Sequence, residues 1–263
     1  MRQIIALEYA KLRKFHTLKI LFAVYMLVVP CWMYFMNFFF KMNPDLKAIF
    51  TQAEPLDFPH IWSFITYSAS FFNILLAVSV VTITTNDIQF KTMRQNIIEG
   101  LTKRQVIFGK FAFVIFLSTI ATLYTLICGL VLGLLESSNT DFYQNIHLNA
   151  LYFIQTIGYF SFAFLFAILV KRPAIAIVTF IIYFPVETIL GNIISHKMYQ
   201  FFPLKVYADL TPMPFFRAVI NSGPKGGENG IFLLSLNEQV CLSGFYIVLC
   251  FALTYFILKR RDL

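Results

Sequence analysis

Six apolar runs, each about long enough to cross a bilayer, restrict this chain to one kind of fold: Leu18–Phe40, Ile61–Ile83, Phe111–Leu135, Leu148–Val170, Ala174–Ile194 and Val240–Leu258. A helix needs roughly 20 apolar residues to span the hydrocarbon. Inside lipid every backbone N–H and C=O must be paired within its own helix or around a closed barrel. The alternating strands of ~10 residues that mark a barrel are absent from the sequence. The expectation is therefore an all-α polytopic membrane protein forming a single transmembrane domain over residues 1–263. Charged residues make up 13% of the chain, against ~25% in an ordinary soluble domain, and they lie between the runs. The first run is too long and too aromatic for a cleaved leader, and no small-residue cleavage site follows it. A formal charge of +8 could suit nucleic acid, but its placement between spans argues against that partner.

The distribution of Lys and Arg predicts orientation. With the N-terminus inside the cell, 15 of the 21 basic residues fall on the cytoplasmic side. They sit in four separate segments, and the loop Glu136–Asn149 on the other side has none. Both termini are expected in the cytoplasm, with membrane lipids around the spans.

Between the second and third runs lies a polar island, Asn86–Lys110. It carries Lys91, Arg94, Lys103, Arg104 and Lys110 against Asp87 and Glu99. Phe90, Met93, Ile97 and Leu101 recur at helical spacing on one side. Asn86 or Asp87 can cap a helix start, and Gly100 is placed to end it. Thr102 followed by Gln105 has capping-box spacing and would open a second helix into the third run. The pattern predicts a short amphipathic helix over about 87–99, a break, then re-entry. Its apolar face needs a cover: lipid headgroups or a partner protein.

Other signals are local. Residues 1–17 interleave Ile4, Ile5, Leu7 and Leu12 with Glu8, Lys11, Arg13 and Lys14, the pattern of an interfacial entry helix or a plain basic anchor. Trp32, Phe35 and their aromatic neighbours form an interfacial belt or, more sharply, a substrate-facing wall. Asn73 sits near the middle of the second run. Pro30 can kink the first, and Asn43-Pro44-Asp45 after it reads as a helix start. Gly129 and Gly133 in the third allow close helix approach, most simply within the chain. Lys171-Arg172-Pro173 leaves room only for a tight hairpin between the fourth and fifth. Glu187, after Pro185 in the fifth, is an intramembrane carboxylate and so a functional candidate; the blander reading is a glutamate hydrogen-bonded near the outer face. Residues 195–238 are rich in proline and aromatics and suggest short outer helices, one over Met213–Ile220 capped by Thr211. Ser235 and Glu238 have capping-box spacing at the start of the sixth run.

Several chemistries are set aside. The histidines make no HExxH pair, and the four cysteines are far apart within the spans, as small core residues would be. No GxxxxGK[ST] loop is present; Gly109-Lys110 lacks the upstream glycine. No catalytic triad or carboxylate pair stands out. The chain is therefore not expected to be an enzyme, to bind a metal, or to hold a nucleotide itself.

The island carries a resemblance. Its Asp87, Thr92, Arg94, Arg104 and Gly109-Lys110 resemble the loop between spans two and three of ABC-2-type transporter permeases, the membrane subunits of bacterial ABC exporters. Glu8, Lys11 and Arg13, the six runs, and the basic ending Lys259-Arg260-Arg261 also resemble that family. Two departures are an aspartate where the family usually has glutamate, and a turn without proline. The resemblance implies a permease with a coupling helix that docks on a separate ABC ATP-binding subunit. ATP and Mg would be held by that subunit, with no cofactor on this chain. A second permease copy, identical or related, would complete a dimer. Asp87, Phe90, Lys91, Met93, Arg94, Ile97, Glu99 and Arg104 would serve coupling. Asn73, Glu187, Trp32 and Phe35 would border a path lined mainly by spans one, two and five. The alternatives are a non-transporting membrane scaffold or sensor, whose island lies on lipid, and an ATP-independent secondary transporter. The latter would call for more intramembrane charge and an internal repeat.

Overall fold

The computed structural model describes residues 15–42, 54–137, 141–214 and 234–260. The entry pattern with Glu8, Lys11 and Arg13, the Asn43-Pro44-Asp45 start and the last three residues of the chain lie outside these. Six of the described helices are long and apolar enough to cross a membrane, and the chain is an all-α multi-pass membrane protein. They are α1 (His16–Met42), α2 (Ile61–Gln89), α4 (Lys103–Glu136), α5 (Leu148–Val170), α6 (Pro173–Ile193) and α9 (Leu236–Arg260). Among the described residues three shorter helices lie off the spans: α3 (Thr92–Ile98), α7 (His196–Tyr199) and α8 (Pro203–Leu210).

The span helices outrun the apolar runs at the island. α2 continues past Ile83 to Gln89, and α4 starts at Lys103, eight residues before Phe111. The helical backbone satisfies its own polar groups, so it continues after the side chains turn polar until a cap stops it. α4 starts where its capping box predicts. The Gln105 N–H donates to Thr102 Oγ1 at 3.3 Å, and the Thr102 N–H donates to Gln105 Oε1 at 2.9 Å. The same device opens α9: the Ser235 N–H donates to Glu238 Oε2 at 2.8 Å and the Glu238 N–H to Ser235 Oγ at 3.4 Å. The α5–α6 hairpin is as tight as expected, with Lys171 left-handed at φ 62° and Pro173 opening α6.

α5 is the axis of the bundle, packing against α2, α4, α6, α8 and α9. α2 and α5 are the most enclosed spans, each with 61% of its apolar stretch buried. Polar groups so placed need partners, and one network supplies them. The Tyr152 hydroxyl donates to Asn73 Oδ1 at 2.8 Å, Asn73 Nδ2 donates to Thr156 Oγ1 at 3.0 Å, and the Tyr25 and Tyr152 hydroxyls lie 2.7 Å apart. The network ties α1, α2 and α5 together.

Close approach explains the glycine pair of α4. A Cβ on Gly129 would stand 2.9 Å from the Trp62 ring, and one on Gly133 would collide with Phe58. Trp62 is fixed in turn, Nε1 donating to the Phe142 carbonyl at 2.9 Å. Pro30 sits inside α1 and cannot donate to the Met26 carbonyl four residues back. The Tyr124 hydroxyl of α4 donates to that carbonyl instead. The cysteines correct one expectation: Cys128 and Cys250 are buried, but Cys31 and Cys241 lie on the exposed face of the bundle.

Candidate functional site

At the α2–α4 turn, α3 is held by a buried clasp. Lys110 Nζ donates to Asp87 Oδ2, and Thr92 Oγ1 donates to Asp87 Oδ1 at 2.6 Å. Lys110 is 2% exposed and Asp87 7%. The carboxylate at the end of α2 thus joins the first residue of α3 to the second turn of α4. Asp87 does not cap a helix start, as its sequence position suggested; it lies within α2, which runs on to Gln89. The short helix begins at Thr92 rather than near 87, because Lys91 turns left-handed at φ 56° and breaks the chain there. Its end follows expectation. Gly100 adopts φ +103°, its N–H donates to the Ile97 carbonyl at 3.1 Å, and the Leu101 N–H donates to Asn96 at 3.0 Å. That pair is a Schellman closure, which favours glycine at the left-handed position.

The apolar stripe of α3 faces inward. Met93 is 2% exposed, and Ile97 and Leu101 pack against the core. The cover for Met93 is the chain itself, so Met93 is not a surface anchor, while Ile97 is partly buried. Phe90 is at the surface, 70% exposed at the tip of the turn. Ile98, 77% exposed, stands out at the last residue of α3, although the stripe at 90, 93, 97 and 101 did not include it. Lys91, Arg94 and Glu99 are also exposed. Glu99 accepts from Gln95 Nε2 at 3.1 Å. Arg104 turns away from α3, its Nε donating to the Tyr255 hydroxyl of α9 at 3.0 Å.

Of the residues assigned to a path, Trp32 and Phe35 lie together, their ring centroids 5.5 Å apart, while Asn73 and Glu187 are held by different partners. Asn73, 1% exposed, belongs to the network of α1, α2 and α5. Trp32 packs edge-on against Phe72 at 5.9 Å between ring centroids, and Phe35 is 53% exposed on the outside of α1. Glu187 is 2% exposed, and its Oε1 accepts the Lys205 backbone N–H at 2.8 Å, in the first turn of α8. This places Glu187 toward the end of the bundle away from α3, hydrogen-bonded to a neighbouring helix.

Two cavities lie elsewhere. One of about 390 Å³ sits between α2, α5 and α6, with Tyr67, Phe71, Tyr159, Phe180 and Phe184 in its wall. Another of about 280 Å³ opens at the end of the bundle away from α3, with Ser63, Asn145, His147 and Thr211 in its wall. Neither is lined by Asn73, Glu187, Trp32 or Phe35. α8 itself was legible in part: Pro203 at a first helical position and Leu204, Tyr207 and Leu210 at helical spacing mark it. The helix expected over Met213–Ile220 lies mostly outside the described residues. Among the described residues no group of three or more His, Cys, Asp or Glu could hold a metal. Compared with known proteins, the sequence matches no family model and no curated protein.

Proposed function

We propose that the chain is the permease subunit of an ATP-driven exporter, of the ABC-2 type that its island resembles. The observation that carries this reading is α3: a short helix locked to two spans by a buried clasp, with Phe90 and Ile98 left projecting beside Lys91 and Arg94. A helix that only rested on lipid would turn its apolar stripe outward. Here Met93 is buried and Ile97 partly so, and what projects is a pair of apolar knobs with basic neighbours. Such a patch suits a groove with an acidic rim, the knobs supplying contact and the cations steering. A separate ATP-binding subunit is the partner proposed, holding the ATP and Mg.

In this reading α3 lies in the cytoplasm with both termini, in a bacterial cytoplasmic membrane. A second permease copy completes the assembly. The cavity between α2, α5 and α6 then forms part of the space that changes shape as the ATPase works. The reading is tested by purifying the tagged chain from its native membrane. An ATPase subunit is expected to accompany it, and Phe90→Asp with Ile98→Asp is expected to lose that subunit while still inserting. Unchanged co-purification by the double variant removes α3 from the docking role. A wild-type chain that brings down no ATPase favours the scaffold or sensor reading.

A further inference from the structure

The environment of Glu187 assigns it a role that the path reading did not contain. α6 packs on α5, α2 and α7, while α8 packs on α5 and α9. Glu187 joins α6 to α8. Its Oε1 accepts the Lys205 N–H, and the Leu204 amide also interacts with the carboxylate. These are first-turn amides, which have no partner within their own helix. Phe202, the residue before α8, offers no side-chain cap. The carboxylate of one helix therefore caps another, and the dipole of α8 favours the negative charge there.

α8 is firmly seated. Leu204, Val206, Tyr207 and Leu210 are buried, the Tyr207 ring lies against Gly158 of α5, and Thr211 Oγ1 donates to Gln155 Oε1 at 2.7 Å. α6 is the more exposed body, with 22% of its apolar stretch buried. At its α3 end it is fixed by the Lys171-Arg172 turn, and two residues before Glu187 stands Pro185, a natural bending point. Phe184 and Pro185 line the cavity of about 390 Å³ between α6 and α2.

We infer that Glu187 is a positioning residue that clasps the far turns of α6 to the seated helix α8 and so sets the spacing between α6 and α2. When the clasp is closed, the segment of α6 beyond Pro185 is held beside α8. When it opens, that segment swings about Pro185 and the cavity wall moves with it. The inference stands on the geometry of this chain alone and does not depend on the ATPase reading.

The test uses the purified full-length chain in lipid nanodiscs, with the native cysteines replaced and spin labels at Phe71→Cys on α2 and Ile189→Cys on α6. Both positions are exposed, at 69% and 58%. A control pair places labels at Phe71→Cys and Leu123→Cys on α4, where the exposure is 53%. Glu187→Leu removes the acceptor. It is expected to broaden the Phe71–Ile189 distance distribution and add a longer component, leaving the control pair unchanged. Glu187→Gln keeps an acceptor without charge, and charge-assisted hydrogen bonds are about twice as strong as neutral ones. It is expected to show a smaller longer component. Distributions in Glu187→Leu that superimpose on wild type overturn the inference, and so does an equal shift in the control pair, which would mean general loss of packing. If Glu187→Leu does not reach the membrane, Glu187→Gln decides alone: a wild-type distribution in it overturns the clasp. Co-purification of an ATPase can fail without altering these distances, so the two proposals fail separately.

Discussion

Replacing Lys110 with methionine is the sharpest perturbation of the α3 clasp. The change keeps most of the side-chain volume and removes the charge. Its cost depends on burial. The Lys110 side chain is 2% exposed and that of Asp87 10%, so the pair is an interior one. Breaking such a pair by removing one partner costs about 3–5 kcal/mol, because a buried charge is left behind. An exposed bridge would cost only ~0–1 kcal/mol. Removing both charges together separates the two cases. Asp87→Asn with Lys110→Met removes both charges of this pair, and the asparagine oxygen still accepts from Thr92. The double variant is expected within about 1 kcal/mol of wild type, since neutral replacements of buried pairs are often tolerated. The assay is reversible unfolding in mixed micelles, run on the wild type, both single variants and the double. A Lys110→Met variant as stable as wild type would refute the burial reasoning. So would a double variant less stable than Lys110→Met, because the loss would then not come from breaking this charge pair.

Further outcomes follow from other parts of the bundle. Gly129→Val, whose Cβ meets the Trp62 ring at 2.9 Å, is expected to destabilise by about 1–3 kcal/mol as overpacking does, measured by the same unfolding assay. Tyr152→Phe is expected to cost about 1–3 kcal/mol by leaving a buried Asn73 acceptor unpaired, whereas Tyr207→Phe is expected to be neutral or slightly stabilising. The Tyr207 hydroxyl is buried with no hydrogen-bond partner among the described residues, so thermal scans should separate the two tyrosines in that order. Cysteines at Lys91 and Tyr143, both exposed, are expected to react with a membrane-impermeant reagent from opposite sides, Tyr143→Cys in intact cells and Lys91→Cys only after the cells are broken. Labelling of both from the same side would contradict the bundle.

The spans were legible because their signal is length and composition, which lipid reads directly. The capping boxes at Thr102 and Ser235 were legible too, since both partners lie within three residues. The face of α3 was not. Spacing shows that Met93, Ile97 and Leu101 share a side, but a periodic pattern does not say what covers it. The cover is the core formed by the spans themselves, and no local rule reaches that far. Asn73 and Glu187 stood out for the right reason, as polar groups in apolar runs. Their partners, Thr156 and Lys205, are 83 and 18 residues away in the chain. Without those contacts a stitched polar group and a path-lining one look alike.

Asp87 and Glu187, one near each end of the bundle, solve the same physical problem. Each is a buried carboxylate on a span helix, in surroundings where an unpaired charge costs at least ~2.5 kcal/mol. Each binds the start of a short helix that no span contains. Asp87 takes the hydroxyl of Thr92 at the start of α3, together with Lys110. Glu187 takes an amide in the first turn of α8 through one carboxylate oxygen. Short helices of seven and eight residues are not stable alone in water, and hydrophobic contact by itself leaves their tilt loosely fixed because it has no direction. A hydrogen bond has direction. Placing one at the start of each short helix fixes where that helix points relative to its span, so movement of a span must either carry its short helix with it or break the bond.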